Sequence, residues 1–128
     1  MNIKVNIKLY PDKIKTLEKA CKTSLEQAAD ATLTDIKTRQ VVPKDTSHLE
    51  DSSFIDTTNL NNGIAKIMFD TPYARRLYWH PEYNFRHDKN PNAKGLWMQD
   101  YEEGGEKEDY MKNVFTMFLK RNSGGIIK

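Results

Sequence analysis

Residues 13–40 contain no glycine and no proline, and their apolar side chains recur at steps of three and four. This spacing predicts an amphipathic α-helix with one apolar stripe, formed by Ile14, Leu17, Cys21, Leu25, Ala28, Thr32 and Ile36. At about 1.5 Å per residue, the helix would be about 40 Å long. It must end before Pro43, because the residue that precedes a proline is forced out of the α conformation. In a chain of 128 residues, we expect the other elements to pack against this helix.

The segment that precedes this helix predicts a β-strand over residues 2–10. Apolar and polar side chains alternate there, which gives a strand one buried and one exposed face; the apolar set is Ile3, Val5, Ile7 and Leu9. Pro11 ends the strand, since proline donates no ladder hydrogen bond and suits the first turn of a helix.

Residues 54–71 predict a β-hairpin around Asn61-Asn62-Gly63. Asparagine and glycine tolerate the positive φ angles of a tight two-residue turn. With such a turn, one face of the hairpin carries Phe54, Leu60, Ala65, Ile67 and Phe69, and we expect this face to be buried. The opposite face would carry Ile55, Ile64 and Met68.

A short helix is predicted after the hairpin. Thr71 can cap it and Pro72 suits its first position, while His80-Pro81 ends it. Residues 81–95 are rich in proline and asparagine, which predicts an irregular loop. Loops of this length are often functional.

The end of the chain predicts two further helical elements. Trp97 and Tyr101 lie four residues apart, which allows one helical turn before Gly104-Gly105 interrupts it. Acidic residues precede and basic residues end an apolar pattern over residues 107–121, which favours a helix because those charges complement its dipole. We expect residues 122–128 to form a flexible tail.

These elements predict one α+β domain over residues 1–128. The long N-terminal helix would pack on a small antiparallel sheet, made of strand 2–10 and hairpin 54–71, with a C-terminal helix. A chain of this size buries about two-thirds of its unfolded surface and can fold without disulfides or metals. The single cysteine, Cys21, excludes an internal disulfide and is expected to be a core residue. The lack of a long apolar run predicts no membrane contact and an origin in the cytosol.

Charge gives little support for a large nucleic-acid surface. The chain has 20 basic and 18 acidic side chains, and the two signs are interleaved. The nearest basic cluster on the first helix is interrupted by Glu18 and favours a solvated helix face; it comprises Lys13, Lys15, Lys19 and Lys22. A small nucleic-acid-binding module that uses these lysines together with the aromatic and arginine side chains of residues 72–97 is an alternative function.

The sequence contains no phosphate-binding loop, dinucleotide fingerprint or nucleophile elbow. The three histidines, His48, His80 and His87, are not at metal-ligand spacing. The run from His80 to Asn92 has a superficial likeness to His-Asn-His nucleases but lacks their paired-histidine opening, so a metal-dependent nuclease is a third alternative. We expect no catalysis, no cofactor, no bound metal and no small-molecule substrate.

Residues 72–97 concentrate aromatic and arginine side chains, the types that dominate protein–protein hot spots. The candidate contact residues are Arg75, Arg76, Trp79, His80, Tyr83, Phe85, Arg86 and Trp97. The competing interpretation is that half of the rings cover the hairpin core.

The order of the motifs resembles the minor capsid and head–tail connector proteins of tailed phages. That family has a V-P-x-D-T-G-x-L-x-x-S stretch, a two-strand segment, a Y-A-x-x-x-Y/H element and a tryptophan that opens the last helical region. The matching residues are Val42, Pro43, Asp45, Thr46, Leu49, Ser52, Tyr73, Ala74, Tyr78 and Trp97. The similarity spans about residues 5–120, and Ser47 stands where the family usually has glycine.

The resemblance implies a non-enzymatic virion protein that is assembled in the host cytoplasm and located in the neck, between portal and tail. Its implied partners are other copies of itself in a ring and the neighbouring portal, neck and tail proteins. DNA that passes through the ring lumen is a further implied contact.

Overall fold

The computed structural model describes residues 10–44 and 48–128, which form an α+β arrangement. Its helices are α1 (Pro11–Thr38), α2 (His48–Asp51), α3 (Ala74–Tyr78) and α4 (Tyr110–Asn122). Strands β1 (Ser53–Asp56) and β2 (Lys66–Phe69) form a two-stranded antiparallel sheet. The predicted fold class is confirmed, whereas the predicted strand 2–10 lies, apart from Tyr10, outside the described residues.

Helix α1 confirms the predicted long helix, but its buried side changes along its length. In the C-terminal half, the predicted Ala28, Thr32 and Ile36 are buried. In the N-terminal half the buried residues are Ala20 and Ser24, while Ile14 is 45% exposed. Helix α4 packs along α1, and the Asn122 side chain donates a hydrogen bond to Ser24 Oγ. Small side chains therefore lie where the two helices approach closely.

The hairpin differs from its prediction at the turn. Residues 57–65 connect the strands through a 3₁₀ turn at Leu60–Asn62 and a left-handed Gly63 with φ 77°. This is much longer than a two-residue turn, and it changes the parity of the strand pairing.

The observed register pairs Phe54 with Met68 and Ile55 with Ile67. Phe54 and Met68 thus share the outer face, 45% and 40% exposed, while Ile67 and Phe69 pack against the core. Paired residues lie on the same face of a hairpin, so the pairing with Met68 puts Phe54 on the outer face. The predicted facing is therefore right for Ile67 and Phe69 and wrong for Phe54.

The core lies between the C-terminal half of α1, α3 and the sheet. Its buried members are Ile36, Val41, Val42, Leu49, Ala74, Trp97 and Tyr101. Trp97 contacts Phe69 and Tyr78 edge-to-face, with ring centroids 5.5 and 4.9 Å apart. Edge-to-face pairs bring the positive edge of one ring to the negative face of the other.

The short third helix begins later than predicted. Tyr73 is its N-cap residue, and Thr71 makes no capping hydrogen bond. The Thr71 backbone carbonyl accepts a hydrogen bond from the Ala74 N–H, so Thr71 belongs to the turn between β2 and α3.

Polar contacts join α1 to the segment before α4. Lys107 Nζ donates to Asp35 Oδ2 at 2.6 Å, and the Tyr101 hydroxyl donates to the same carboxylate oxygen. Asp100 pairs with Arg39 at 2.9 Å and with Lys94 at 2.8 Å. We call these six residues the polar network.

The predicted tail begins inside a packed region. Asn122 is the last residue of α4, and Ser123 is fully buried and accepts a hydrogen bond from the Ile127 N–H. The flexibility of the residues that follow stays a prediction. Among the described residues, no helix is long and apolar enough to cross a membrane.

Candidate interaction surface

Helix α3 positions the arginines of the candidate surface. Ala74 is buried, and Leu77 and Tyr78 are half-buried, which turns one side of this short helix to the core. Arg75 and Arg76 lie on its exposed side. Trp79, at the end of the helix, is 62% exposed, a high value for a large apolar side chain.

The Trp79 ring is supported from below by a row of aromatic rings. It meets Tyr78 edge-to-face at 5.0 Å and 90°, and Tyr78 meets the buried Trp97 at 4.9 Å. Burial raises the pKa of the Tyr78 hydroxyl, so this ring stays neutral at physiological pH. An exposed tryptophan that packs on a half-buried ring loses less conformational freedom when a partner binds it than a free side chain would.

A second cluster surrounds Tyr83. The His80 ring stacks on the Tyr83 ring at 4.7 Å, and Arg76 Nε donates to the Tyr83 hydroxyl at 3.3 Å. That hydrogen bond raises the pKa of Arg76. His80 Nδ1 lies 2.7 Å from Glu82 Oε1, and this hydrogen bond lowers the pKa of Glu82. The cluster joins the exposed side of α3 to the loop that follows it.

The loop over residues 81–95 has no regular element, as predicted, but its base is bound to the core. The buried Asn90 donates its side-chain N–H to the Val42 carbonyl at 2.8 Å, and the Lys94 N–H donates to the Val41 carbonyl. A Cβ at Gly95 would lie 2.7 Å from Pro81 Cα, so a close backbone approach requires glycine there. The loop is therefore positioned by contacts that are distant in sequence.

The outer part of the loop carries the remaining candidates. Phe85 is half-buried with its ring 6.3 Å from Tyr83, and Arg86 pairs with Asp88 at 2.8 Å. This ion pair lowers the pKa of Asp88. Both charges are more than half exposed, so water and salt screen them strongly.

Contacts or a shared cleft join six of the eight predicted residues around α3 and the loop that follows it: Arg75, Arg76, Trp79, His80, Tyr83 and Phe85. Arg86 lies further along the same loop, where it pairs with Asp88. Trp97 is 1% exposed and belongs to the core, so its prediction as a contact residue was wrong. The alternative expectation, that rings of residues 72–97 cover the hairpin core, holds for Trp97 and Tyr78. Sequence reasoning placed Met68 correctly on the outer face of the hairpin but missed it as a site residue, because the candidates were taken from residues 72–97 alone.

Two clefts flank Trp79. One, of about 480 Å³, is lined by Pro72, Arg75, Arg76, Trp79 and His80. The other, of about 280 Å³, lies between α3 and β2 and is mostly apolar. Trp79 and Arg75 line both clefts and form the ridge that separates them. We call this ridge, with Arg76, His80 and Tyr83, the Trp79 surface.

The two described histidine side chains have different partners. His80 contacts Glu82 and Tyr83, whereas His87 Nε2 lies 3.0 Å from the Ala93 carbonyl. In the part of the chain that the structure describes, no three His, Cys, Asp or Glu side chains are grouped so that they could hold a metal.

Comparisons of this chain with protein-family models, with curated proteins and with solved structures found no match.

Proposed function

We propose that this protein is a structural component of a tailed-phage virion. In this proposal it sits at the head–tail junction as one subunit of a homo-oligomeric ring and binds neighbouring neck or tail proteins. It performs no catalysis. The order of motifs along the chain supports this assignment, and the Trp79 surface supplies a site through which it could act.

The observation that carries the proposal is the exposure of Trp79 beside two arginines. Tryptophan and arginine are among the most enriched hot-spot residues. An anchor side chain that is already held in place contributes more binding free energy, because less conformational entropy is lost on binding. Trp79 is 62% exposed, yet its ring is packed on Tyr78. A surface built in this way fits a protein whose work is binding.

A ring imposes a further requirement on its subunits. Head-to-tail contacts are heterologous, so each subunit must present two different patches. The Trp79 surface would be one patch, and the exposed side of α1 would be the other. DNA in the ring lumen and the host cytoplasm as the place of assembly belong to the same proposal.

The test is a double substitution, Arg76→Ala with Trp79→Ala, in particles whose heads and tails are joined in vitro. We expect the yield of joined particles to fall while thermal unfolding of the purified protein changes little. The matched control is Lys112→Ala with Met117→Ala, two exposed residues of α4. Joining at the normal yield by the first variant would remove the Trp79 surface from the contact.

A further inference from the structure

The apolar cleft beside Trp79 lies along the outer edge of the sheet. Three consecutive residues of β2 line it, Ile67, Met68 and Phe69, and no residue of β1 does. Tyr78, Trp79 and Met98 form its other wall. The cleft is therefore on the side of β2 that faces away from β1.

The strand register determines which backbone groups point into this cleft. The Asp70 N–H donates to the Ser52 carbonyl, so residues 52 and 70 form a hydrogen-bonded pair. Hydrogen-bonded and non-hydrogen-bonded pairs alternate in an antiparallel ladder. Pairs 54/68 and 56/66 are thus hydrogen-bonded across the hairpin, whereas Ile67 and Phe69 direct their N–H and C=O groups away from β1.

These outward groups have no partner within the described part of the chain. An edge with free N–H and C=O groups is a template for another strand. A neighbouring groove that can take alternate side chains gives such an addition its specificity. The cleft has both properties, and its two methionines, Met68 and Met98, can adapt to different apolar side chains.

Charge indicates what kind of strand fits. Arg75 lines the cleft, is exposed, and makes no ion pair within the described residues. A carboxylate on the incoming strand would complement it. Residues 2–10 carry Lys4 and Lys8 and no acidic side chain, so they offer no carboxylate to Arg75.

We infer that β2 accepts an extended segment of a neighbouring virion protein as a third strand. The segment would place alternate apolar side chains in the cleft between β2 and α3 and an acidic side chain opposite Arg75. This inference rests on the proposed function and specifies how the Trp79 surface binds.

The first experiment measures amide hydrogen exchange in the isolated protein. We expect the N–H groups of Ile67 and Phe69 to exchange faster than those of Lys66 and Met68, which the hairpin protects. Protection of Ile67 and Phe69 at every protein concentration would show that another segment of this chain covers the edge. Protection that grows with concentration would show self-pairing. Either result overturns the inference.

The second experiment compares Ile67→Pro with Ile67→Ala in head–tail joining. Both variants lose the isoleucine packing, but only proline removes the outward N–H, and the hairpin ladder keeps its bonds in both. We expect Ile67→Pro to join particles about tenfold less efficiently than Ile67→Ala, since one hydrogen bond and the steric fit of the added strand are lost. Equal yields would overturn strand addition.

Two further measurements apply if Ile67→Pro does not fold. Arg75→Glu should lower joining and Arg75→Lys should restore it, and Ile67 and Phe69 should become protected from exchange in joined particles. An unprotected edge in joined particles would overturn the inference.

The outcome is separable from that of the proposed function. If Arg76→Ala with Trp79→Ala abolishes joining while Ile67→Pro matches Ile67→Ala, the Trp79 surface is a contact but β2 adds no strand. If none of these variants affects joining, strand addition to β2 and the proposed function are both contradicted.

Discussion

Trp97 and Trp79 place the same side chain in opposite environments. Trp97 is 1% exposed and contacts Phe69 and Tyr78, whereas Trp79 is 62% exposed. The free energy of unfolding depends on the apolar area that each ring removes from water and on the void that its removal leaves. The two tryptophans should therefore contribute very differently to the free energy of unfolding.

We expect Trp97→Ala to lower the free energy of unfolding by about 3–5 kcal/mol, the range for a fully buried ring. Trp79→Ala serves as the matched control and should lower it by less than about 1 kcal/mol, because most of its ring is already in water. Urea unfolding of both variants measures the difference. Similar losses in the two variants would mean that Trp79 is also a core residue.

The hairpin offers a second comparison between like residues. Phe69 packs on Trp97, and Phe54 lies on the outer face opposite Met68. We expect Phe69→Ala to destabilise the protein by about 2–3 kcal/mol, less than a fully buried ring would, and Phe54→Ala by less than about 1 kcal/mol. Denaturant unfolding of the two variants tests the register, and a larger loss at Phe54 would contradict it.

At the scale of elements, the polar network holds α1 against the segment that leads into α4. Burial alone would raise the pKa of Asp35, but hydrogen bonds from Lys107 and Tyr101, with the charges of Lys107 and Arg39, lower it overall. The hydrogen bond from Lys94, followed by that from Arg39, lowers the pKa of Asp100. Burial and the hydrogen bond to Asp35 raise the pKa of the Tyr101 hydroxyl, which stays protonated and donates.

These shifts predict acid sensitivity. A carboxyl whose folded pKa lies below its unfolded value stabilises the fold above the unfolded pKa, near 4, and loses that contribution as the pH falls through the folded pKa. We expect the free energy of unfolding to be constant from about pH 5 to 7 and to fall below about pH 4. Urea titrations at several pH values measure this profile.

Asp35→Asn should flatten the acid part of the profile and lower stability at neutral pH, because Lys107 loses its partner. Asp30→Asn is the control, since Asp30 is an exposed residue of the same helix. An unchanged acid limb in Asp35→Asn would show that other carboxyls cause the pH dependence.

At the scale of the whole molecule, the arrangement favours protein contacts over nucleic-acid contacts. The net charge is +2. In the Trp79 surface, Arg76 donates a hydrogen bond to the Tyr83 hydroxyl, and His80 is hydrogen-bonded to the acidic Glu82. Binding to many phosphates would release counterions and fall steeply with salt. A surface with few cations cannot produce a steep dependence.

We therefore expect no binding of a labelled DNA duplex by the purified protein at physiological salt, measured by fluorescence anisotropy. At low salt, weak binding without sequence preference is the expected outcome. Tight binding with a steep salt dependence would favour the alternative of a nucleic-acid-binding module, and Lys13→Glu with Lys19→Glu would then locate it on α1.

Local sequence patterns determined much of the secondary structure of this protein. The long helix and the closing helix follow from apolar residues at helical spacing, because hydrogen bonding within a helix links residues only four positions apart. The irregular loop after α3 follows from its prolines and asparagines, and the candidate contact residues follow from their composition. Six of those residues are joined by contacts or a shared cleft around α3 and its loop.

Only the tertiary structure decided which side chains face the core. A change in turn length of one residue reverses the facing of a strand, so the 3₁₀ turn at Leu60–Asn62 placed Phe54 on the outer face although its sequence pattern allowed either side. Trp97 became a core residue because Phe69 and Tyr78 meet around it, two contacts that join separate parts of the chain. The approach of α4 likewise selected Ala20 and Ser24 as buried positions of α1. Each of these outcomes depends on a partner distant in sequence, which no local pattern specifies.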